Sequence, residues 1–238
     1  MRVLVLAVIL LVVASPVLSQ DLSIDFGDDG ALATRSIQLL ALVTLLSLVP
    51  GLAVMVTCFP FIVTVLSILR QAIGLQQAPP NMMIVSLALF LTWYVMDPVF
   101  TEAWARGLEP LTQGSTDYRA AFDATMAPFR VFMANRVDLD VLASMQALRP
   151  AELGGPIDAP LSLLVPSFLL SEIQRAFEIG FLIFLPFLII DLVVAAVLMS
   201  MGMMMVPPAV VSLPFKLAFF VVADGWALVT GALVRSYF

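Results

Sequence analysis

The sequence contains no histidine and a single cysteine, and each scarcity removes a class of function. Histidine is the commonest metal ligand and the side chain that titrates nearest neutral pH, so sites built on it are excluded. One cysteine, Cys58, can form neither a disulfide within the chain nor a cysteine metal cluster. Because Cys58 lies in an apolar run, we interpret it as a small packing residue.

Charge is scarce as well, and this decides the broad class of protein. Only 12% of the 238 residues are charged and 62% are hydrophobic, whereas a soluble domain is about a quarter charged and about half apolar. The apolar excess must therefore face lipid or other subunits. A net charge of −6 leaves no basic face for nucleic acid, so nucleic-acid binding is excluded.

The N-terminus has the three parts of a secretory signal. Arg2 supplies a positive charge, the uncharged stretch Val3–Ala14 follows, and small or tolerated residues lead to Ser19. This layout predicts a signal peptide at residues 1–19, cleaved after Ser19, and an external tether at residues 20–35. The alternative is an uncleaved first span, although its apolar length is short for a hydrocarbon core of about 30 Å.

Four apolar stretches follow, and they predict two helical hairpins, at residues 36–96 and 171–238. The stretches are Ser36–Leu69, Met82–Met96, Ala176–Val206 and Ala209–Val234. The first would be about 50 Å long as one helix, so we expect a bend or break at Pro50-Gly51 and at Pro60. The second ends at Asp97-Pro98 and would measure about 22 Å, less than the roughly 30 Å core.

Between the hairpins, residues 97–170 are rich in charge, glycine and proline, which predicts a water-facing insert of two or three short helices. Four apolar residues in it follow a 4-3-4 spacing that indicates one amphipathic helix. They are Phe122, Met126, Phe129 and Met133. Counting four passes from an external N-terminus puts this insert in the periplasm. The expected fold is all-α, a multi-span integral membrane protein with a small helical insert.

Five charged residues lie within or at the end of the apolar stretches, where a charge facing lipid costs about 2.5–3.5 kcal/mol. They are Arg70, Glu178, Asp191, Lys216 and Asp224. We therefore expect their side chains to face protein or water and to serve in assembly. For Lys216, which is the only lysine, the alternative is that its ammonium reaches the membrane surface.

Asp191 and Lys216 are candidates for an ion pair, but their spacing argues against a pair within one hairpin. Asp191 lies 16 residues before Pro207 and Lys216 lies 9 residues after it. Their depths would then differ by about 10 Å at 1.5 Å per residue. We expect a contact between neighbouring subunits, or with a partner, instead.

Two helical stripes of small and polar residues indicate packing seams, because small side chains let helices approach closely. The first comprises Gly180, Phe184, Phe187, Asp191, Ala195, Met199 and Gly202, and the second Thr57, Thr64, Ser67, Gln71 and Gly74. A third local feature is a cluster of five of the thirteen methionines: Met199, Met201, Met203, Met204 and Met205. Flexible thioether side chains suit a seal around a passing chain, and an ordinary Met-rich helix end is the equal alternative.

Two of these segments contain long motifs. Pro60–Asn81 includes Leu-Arg-Gln-Ala-Ile-Gly-Leu-Gln-Gln-Ala-Pro-Pro-Asn. Ala176–Trp226 includes Phe-Leu-Pro-Phe-Leu-Ile-Ile-Asp, Met-Ser-Met-Gly-Met-Met-Met-Val-Pro-Pro, Leu-Pro-Phe-Lys-Leu and Asp-Gly-Trp. These motifs resemble those of the FliP family of the flagellar type III export apparatus. The related injectisome subunit SctR shares the C-terminal motifs, but the signal and the long insert favour the flagellar member.

The resemblance implies a core subunit of an export gate in the bacterial inner membrane, at the flagellar basal body. It implies a homopentamer that joins FliQ and FliR, with FlhB and FlhA as further partners, around a passage for unfolded rod, hook and filament proteins. It also implies bent helical hairpins that assemble largely above the bilayer plane. The family's pore gasket maps onto Met203, Met204 and Met205.

Two other classes of function stay open on the residues alone. An ion-coupled transporter could use Asp191, Lys216 and Asp224, since ionisable residues within the membrane are functional candidates. An intramembrane enzyme could pair Asp191 with Asp224. Because no Gly-rich phosphate loop or known hydrolase motif occurs, we predict a protein that is not an enzyme and has no cofactor and no metal.

Overall fold

The computed structural model describes residues 29–74, 79–115, 117–148, 155–203 and 205–238, which form helices and turns with no strand among them. The helices are α1 (Asp29–Met55), α2 (Phe59–Ile73), α3 (Asn81–Ala103), α4 (Glu109–Thr112), α5 (Tyr118–Arg136), α6 (Leu139–Ala147), α7 (Leu161–Ser200), α8 (Pro208–Val222) and α9 (Gly225–Arg235). A π-helical turn, Trp104–Leu108, joins α3 to α4, and a 3-10 turn, Pro156–Asp158, precedes α7. The all-α expectation is confirmed.

The chain divides between Ser47 and Leu48 into two compact units. The signal peptide predicted at residues 1–19, with its cleavage after Ser19, lies outside the described residues. Most of the tether predicted at residues 20–35 does too, but it is helical from Asp29 onward.

The first apolar stretch breaks once, at Thr57, rather than at both predicted places. The Thr57 hydroxyl donates to the Val54 carbonyl (2.9 Å) and accepts from the Phe59 amide (3.4 Å), so it closes α1 and opens α2. Pro60 sits in the first turn of α2, where a proline costs no helical hydrogen bond. The chain does not break at Pro50-Gly51, because α1 runs through both residues to Met55.

The short helix α2 forms the centre of the core, and seven of its fifteen residues are buried. It packs most extensively against α7 and also contacts α3 and α8. Gly180 allows α7 to approach α2 closely, because a Cβ atom at this position would overlap the Ile68 side chain of α2 and lie 3.1 Å from its Cγ2 atom. Gly74, with φ of +88°, then ends α2 in the left-handed conformation that favours glycine.

Helix α3 continues through Asp97-Pro98, where the sequence predicted that it would stop. Val95, Met96 and Ala103 on either side of the proline are all buried. Packing of this face outweighs the hydrogen bond that Pro98 removes, at a cost of about 3 kcal/mol. Helices α3 and α7 extend into the predicted insert, residues 97–170, and the helices between them are α4, α5 and α6.

Helix α5 carries the predicted amphipathic stripe, and Gly107 docks it against the π-helical turn. Met133 is fully buried and Phe129 is half-buried against the Phe100 ring (5.9 Å between centroids), whereas Phe122 at the start of the stripe is exposed. A Cβ atom at Gly107 would lie 2.7 Å from the Thr125 backbone nitrogen and 2.8 Å from the Ala121 carbonyl oxygen. Only glycine fits here without moving α5.

Several helices are long and apolar enough to cross a membrane. Among the described residues these are Ser36–Met55, Asn81–Thr112 and Leu161–Ser200. Helices α8 and α9 form a fourth when taken together, although they bend by 61° at their junction. Asp224 occupies that junction with φ of +48°. This set of helices agrees with the predicted multi-span membrane protein.

We expect Gly107→Ala to destabilise the fold by about 1–3 kcal/mol, since a methyl group would overpack against the α5 backbone. Gly51→Ala is the matched control: it lies in α1, and a Cβ atom there meets nothing within 4 Å. That change should leave stability unaltered or raise it by up to about 1 kcal/mol. Thermal unfolding of both purified variants in detergent measures the difference. Equal midpoints would show that α5 yields at this contact.

Candidate functional site

A methionine-rich segment, residues 201–207, joins α7 to α8, and we call it the methionine turn. Its first residues end α7 with a Schellman motif: the Gly202 amide donates to the Met199 carbonyl (3.0 Å), and the Met203 amide to the Leu198 carbonyl (2.9 Å). Gly202 has the φ of +74° that this motif requires. Pro207 precedes the first turn of α8. These two backbone hydrogen bonds fix the start of the turn, as far as Met203.

The described methionines of this turn are exposed. Met205 is 99% exposed, and Met201 and Met203 are also exposed, as is Met199 at the end of α7. Met204, the remaining member of the predicted gasket, lies outside the described residues. The described part of the turn therefore presents several thioethers on its surface.

Asp191 and Lys216 form an ion pair within the chain, with Lys216 Nζ 2.6 Å from Asp191 Oδ2. The expectation of a contact between subunits is therefore wrong. That expectation counted the depth of both residues as helical rise from Pro207. However, α7 ends at Ser200 and α8 begins at Pro208, so the residues between them add no helical rise. Asp191 lies nine residues before the end of α7 and Lys216 eight after the start of α8. Both therefore sit about 12–14 Å from the turn.

The surroundings of Lys216 explain how its charge is accommodated in the core. Its side chain is 7% exposed, and it donates a second hydrogen bond to the Ala72 carbonyl (3.2 Å) at the C-terminus of α2. That end of a helix carries partial negative charge. Ser212 donates to the other oxygen of Asp191 (2.5 Å). Lys216 therefore ties α2, α7 and α8 together and does not reach out to a membrane surface.

The other predicted charges lie apart from this pair. Arg70 donates to the Asn81 side chain across the connection between α2 and α3. Glu178 is exposed on α7 and accepts from Gln174 (3.2 Å). Asp224 is exposed at the bend between α8 and α9, and it lies about 10 Å farther from the methionine turn than Asp191 does. The structure thus brings together neither the aspartyl pair of an enzyme nor the three residues of a transporter site.

The first predicted stripe is a packing seam within this chain over much of its length. Gly180 and Phe187 of the first stripe are buried, and the Phe187 ring contacts the rings of Phe219 and Phe220 (5.9 and 6.2 Å between centroids). The second stripe bonds mainly to its own helix, since Thr64 and Ser67 donate to carbonyls four residues earlier. Its end at Gln71 and Gly74 is exposed.

A buried ionic network around Glu172 was not predicted. Glu172 is fully buried in α7, and its Oε1 atom lies 3.0 Å from Arg136 Nη2 and 3.3 Å from Arg175 Nη1. Its other oxygen accepts from the Tyr237 hydroxyl. Arg136 also donates to the Ser236 carbonyl (2.8 Å) and stacks over the Tyr237 ring, 4.1 Å from its centroid. The network joins the end of α5, α7 and the residues after α9.

Burial of the Tyr237 hydroxyl and, second, the nearby Glu172 carboxylate raise the pKa of Tyr237 far above its ordinary value. The hydroxyl therefore keeps its proton and donates it in a hydrogen bond to Glu172.

The sequence did carry a signal for this site. Glu172 and Arg175 interrupt the apolar helix α7 one turn apart, but the predicted apolar stretch began at Ala176 and left them between the insert and that stretch. Arg136 offered no signal of its own, since it is one of several arginines in the insert.

Cys58 is fully buried beside α3, as expected of a packing residue. Burial raises the pKa of its thiol to about 12, so the thiol stays protonated and unreactive in the folded chain. Among the residues that the structure describes, no group of three or more acidic or cysteine side chains could hold a metal ion.

Comparisons with known proteins identify the family. The model of the FliP family matches residues 42–233. The flagellar biosynthetic protein FliP of Caulobacter vibrioides is 50% identical over 218 residues, which cover 90% of this chain and 81% of the relative. The protein of the same name from Agrobacterium fabrum is 48% identical over 88% of this chain and 86% of the relative. That of Bacillus subtilis is 40% identical over 92% of this chain and its own full length.

Lys216→Met should destabilise the hairpin by about 3 kcal/mol, because it leaves Asp191 without its cation in a partly buried position. Asp191→Leu alone should cost a similar amount. The double variant should recover most of the loss, since an apolar pair of similar size replaces a buried ion pair at little cost. Thermal unfolding of the four proteins in detergent forms a double-mutant cycle. Additive losses would contradict a direct pair.

Glu172→Gln should destabilise the protein by about 3–5 kcal/mol, because it leaves two arginines beside a neutral group in a buried site. The control is the same substitution at Glu102, whose carboxylate pairs with Arg106 (2.6 Å) on the surface of α3. That change should cost less than about 1 kcal/mol. Limited proteolysis after Arg130 and Arg136 should accelerate in the first variant only. Equal behaviour of the two would show that the network does not hold the insert.

Proposed function

This chain belongs to the FliP family, whose members among its relatives are named flagellar biosynthetic proteins, and we propose that it is a pore-forming core subunit of the flagellar type III export gate. In this proposal it passes unfolded rod, hook and filament proteins across the bacterial inner membrane. It acts without catalysis or a cofactor. The flagellar gate is preferred to the injectisome gate because the closely related proteins carry the flagellar name.

The methionine turn is the observation that carries the proposal. A seal around a moving, irregular chain needs side chains that are apolar, flexible and free of fixed partners, on a backbone that does not move with them. Thioethers have the first properties, and the exposed Met203 and Met205 have no core to pack against. The Schellman motif fixes the backbone at the start of the turn, as far as Met203.

The proposed seal requires several copies, because one turn cannot enclose a passage. We propose the pentamer and the neighbours FliQ and FliR, with FlhB and FlhA alongside, as in the resemblance drawn from the motifs. The outer face of α7 supports such an assembly, since large apolar side chains on it are more than half exposed. They include Phe177, Phe181, Leu182, Ile189, Leu192 and Val193. Lipid or neighbouring subunits must cover this face.

Replacement of Met203, Met204 and Met205 by alanine should leave the complex assembled and let ions leak through it. The physical reason is that the backbone turn is held without these side chains, whereas the apolar volume they supply is lost. Membrane conductance, measured in vesicles that contain the complex purified with its partners, gives the readout. Replacement of the same three residues by leucine keeps apolar volume and should leak less than the alanine variant.

Two results would contradict the proposal. Conductance of the alanine variant equal to that of the native complex would show that the methionine turn seals nothing. Transport activity of the isolated chain in liposomes, without any partner, would favour a self-sufficient transporter. Intact-mass measurement of the complex in mild detergent tests the copy number and the presence of the neighbours.

A further inference from the structure

We propose that Glu178 of one copy forms an ion pair with Arg70 of the next copy, and that this pair fixes how neighbouring subunits meet. The inference rests on the proposed function, because it needs several copies arranged in a ring around one passage. Glu178 lies on α7 and Arg70 on α2. Neither side chain forms an ion pair within the part of the chain that the structure describes.

The two charges lie on opposite flanks of the packed helices α2 and α7, which touch where Gly180 meets Ile68. Glu178 is two residues from Gly180, and two residues turn a helix by about 200°. Its carboxylate therefore faces away from α2, in agreement with its exposure. Arg70 is likewise two residues from Ile68, and its guanidinium donates to Asn81 at the start of α3. It therefore faces away from α7.

Helices α2 and α7 run in the same direction, and two contacts show this. Near the start of α2, the Phe61 ring contacts the Tyr237 ring (5.6 Å between centroids), and the Tyr237 hydroxyl donates to Glu172 of α7. Near the end of α2, Lys216 links the Ala72 carbonyl to the carboxylate of its ion pair, farther along α7. Positions along α2 can therefore be matched with positions along α7.

The two charges also lie at similar heights along this pair of helices. Arg70 follows the contact between α2 and α7 by two residues and Glu178 precedes it by two, so their heights differ by about 6 Å. A closed ring is generated by rotation alone, which keeps every residue at its own height. Residues that meet across its interface must come from different flanks and similar heights, as these two do. The flexible stem of the arginine can span the difference that remains.

Each charge is surrounded by large exposed apolar side chains, which is why each needs a partner. They are Phe177, Phe181 and Leu182 around Glu178, and Met82, Met83 and Val85 at the start of α3, which Arg70 contacts. A charge that faces lipid is costly. Opposite charges on two apolar flanks complement each other, so contact between copies satisfies both charges and covers both apolar surfaces.

Other arginines of the described chain are less suited to this role. Arg119 lies in the first turn of α5, away from the helices α2 and α7. Arg235 at the end of α9 folds back over its own helix, with Nη2 3.5 Å from the position of a Cβ atom at Gly231. Four more already bind carboxylates or carbonyls of their own chain: Arg106, Arg130, Arg136 and Arg175.

The first experiment tests proximity between copies. Two differently tagged chains, one with Glu178→Cys and one with Arg70→Cys, are expressed together with the partner subunits. A short bis-maleimide reagent replaces a direct disulfide, because two long side chains leave a gap wider than a disulfide spans. We expect a cross-linked dimer that carries both tags. Native Cys58 is buried and offers no accessible thiol.

Arg119→Cys and Arg235→Cys are the matched controls for this cross-link. Paired with Glu178→Cys, each should give several-fold less dimer than Arg70→Cys does. A dimer formed as readily by either control would overturn the proposal, because Glu178 would then not be held next to Arg70.

The second experiment exchanges the charges. Glu178→Arg alone places two cations together and Arg70→Glu alone places two carboxylates together, so each should lower the yield of assembled ring several-fold. The double exchange restores opposite charges and should recover most of that yield. Glu178→Arg with Arg119→Glu has the same net charge and should recover none. Intact-mass measurement of complexes extracted in mild detergent gives the yield.

The outcomes separate this inference from the proposed function. A native ring of several copies that shows neither the cross-link nor the recovery would overturn the ion pair and leave the export gate standing. Absence of any ring from the native complex would count against both. Loss of bound anionic phospholipid in Arg70→Gln, without a cross-link between Arg70→Cys and Glu178→Cys, would assign Arg70 to a lipid headgroup and would also overturn the pair.

Discussion

The packing of α7 on the buried helix α2 is the contact on which the other features depend. Gly180 lets α7 cross directly over Ile68, and from that crossing the helix extends in both directions as one element of 40 residues. Glu172 lies towards one end and the methionine turn follows the other, about 42 Å apart along the axis. The packing of α7 on α2 therefore also sets the position of the insert relative to the methionine turn.

Two buried ionic groups set the register of the elements around α7. Removing a carboxylate from water is costly, and the net stability of a buried pair is small even with good geometry. The gain here is in specificity: Glu172 accepts from α5 and from the residues after α9, and Lys216 reaches α2 and α7 from α8. A slip of one helical turn in any of these elements would leave a buried charge without its partner.

The sequence predicted most of the helices and the all-α class, because apolar runs and helix punctuation are local signals. It failed where tertiary packing decided the outcome. Pro98 did not end α3, since Val95, Met96 and Ala103 are buried around it. The separation of Asp191 and Lys216 along the chain overstated their difference in depth, because a seven-residue turn adds no helical rise. Glu172 went unnoticed because its main partner, Arg136, lies 36 residues away.

The charged residues of the apolar segments indicate which surfaces of this protein contact lipid and which contact water or other subunits. Of the charges in its apolar segments, Asp191 and Lys216 neutralise each other inside the chain. Glu178 and Asp224 have no ion pair within the described residues, and both are exposed. Glu178 lies among Phe177, Phe181 and Leu182, where contact of its charge with lipid would cost about 2.5–3.5 kcal/mol. This part of α7 therefore favours water or a neighbouring subunit over lipid, whereas the uncharged face beyond Asp191 can meet either.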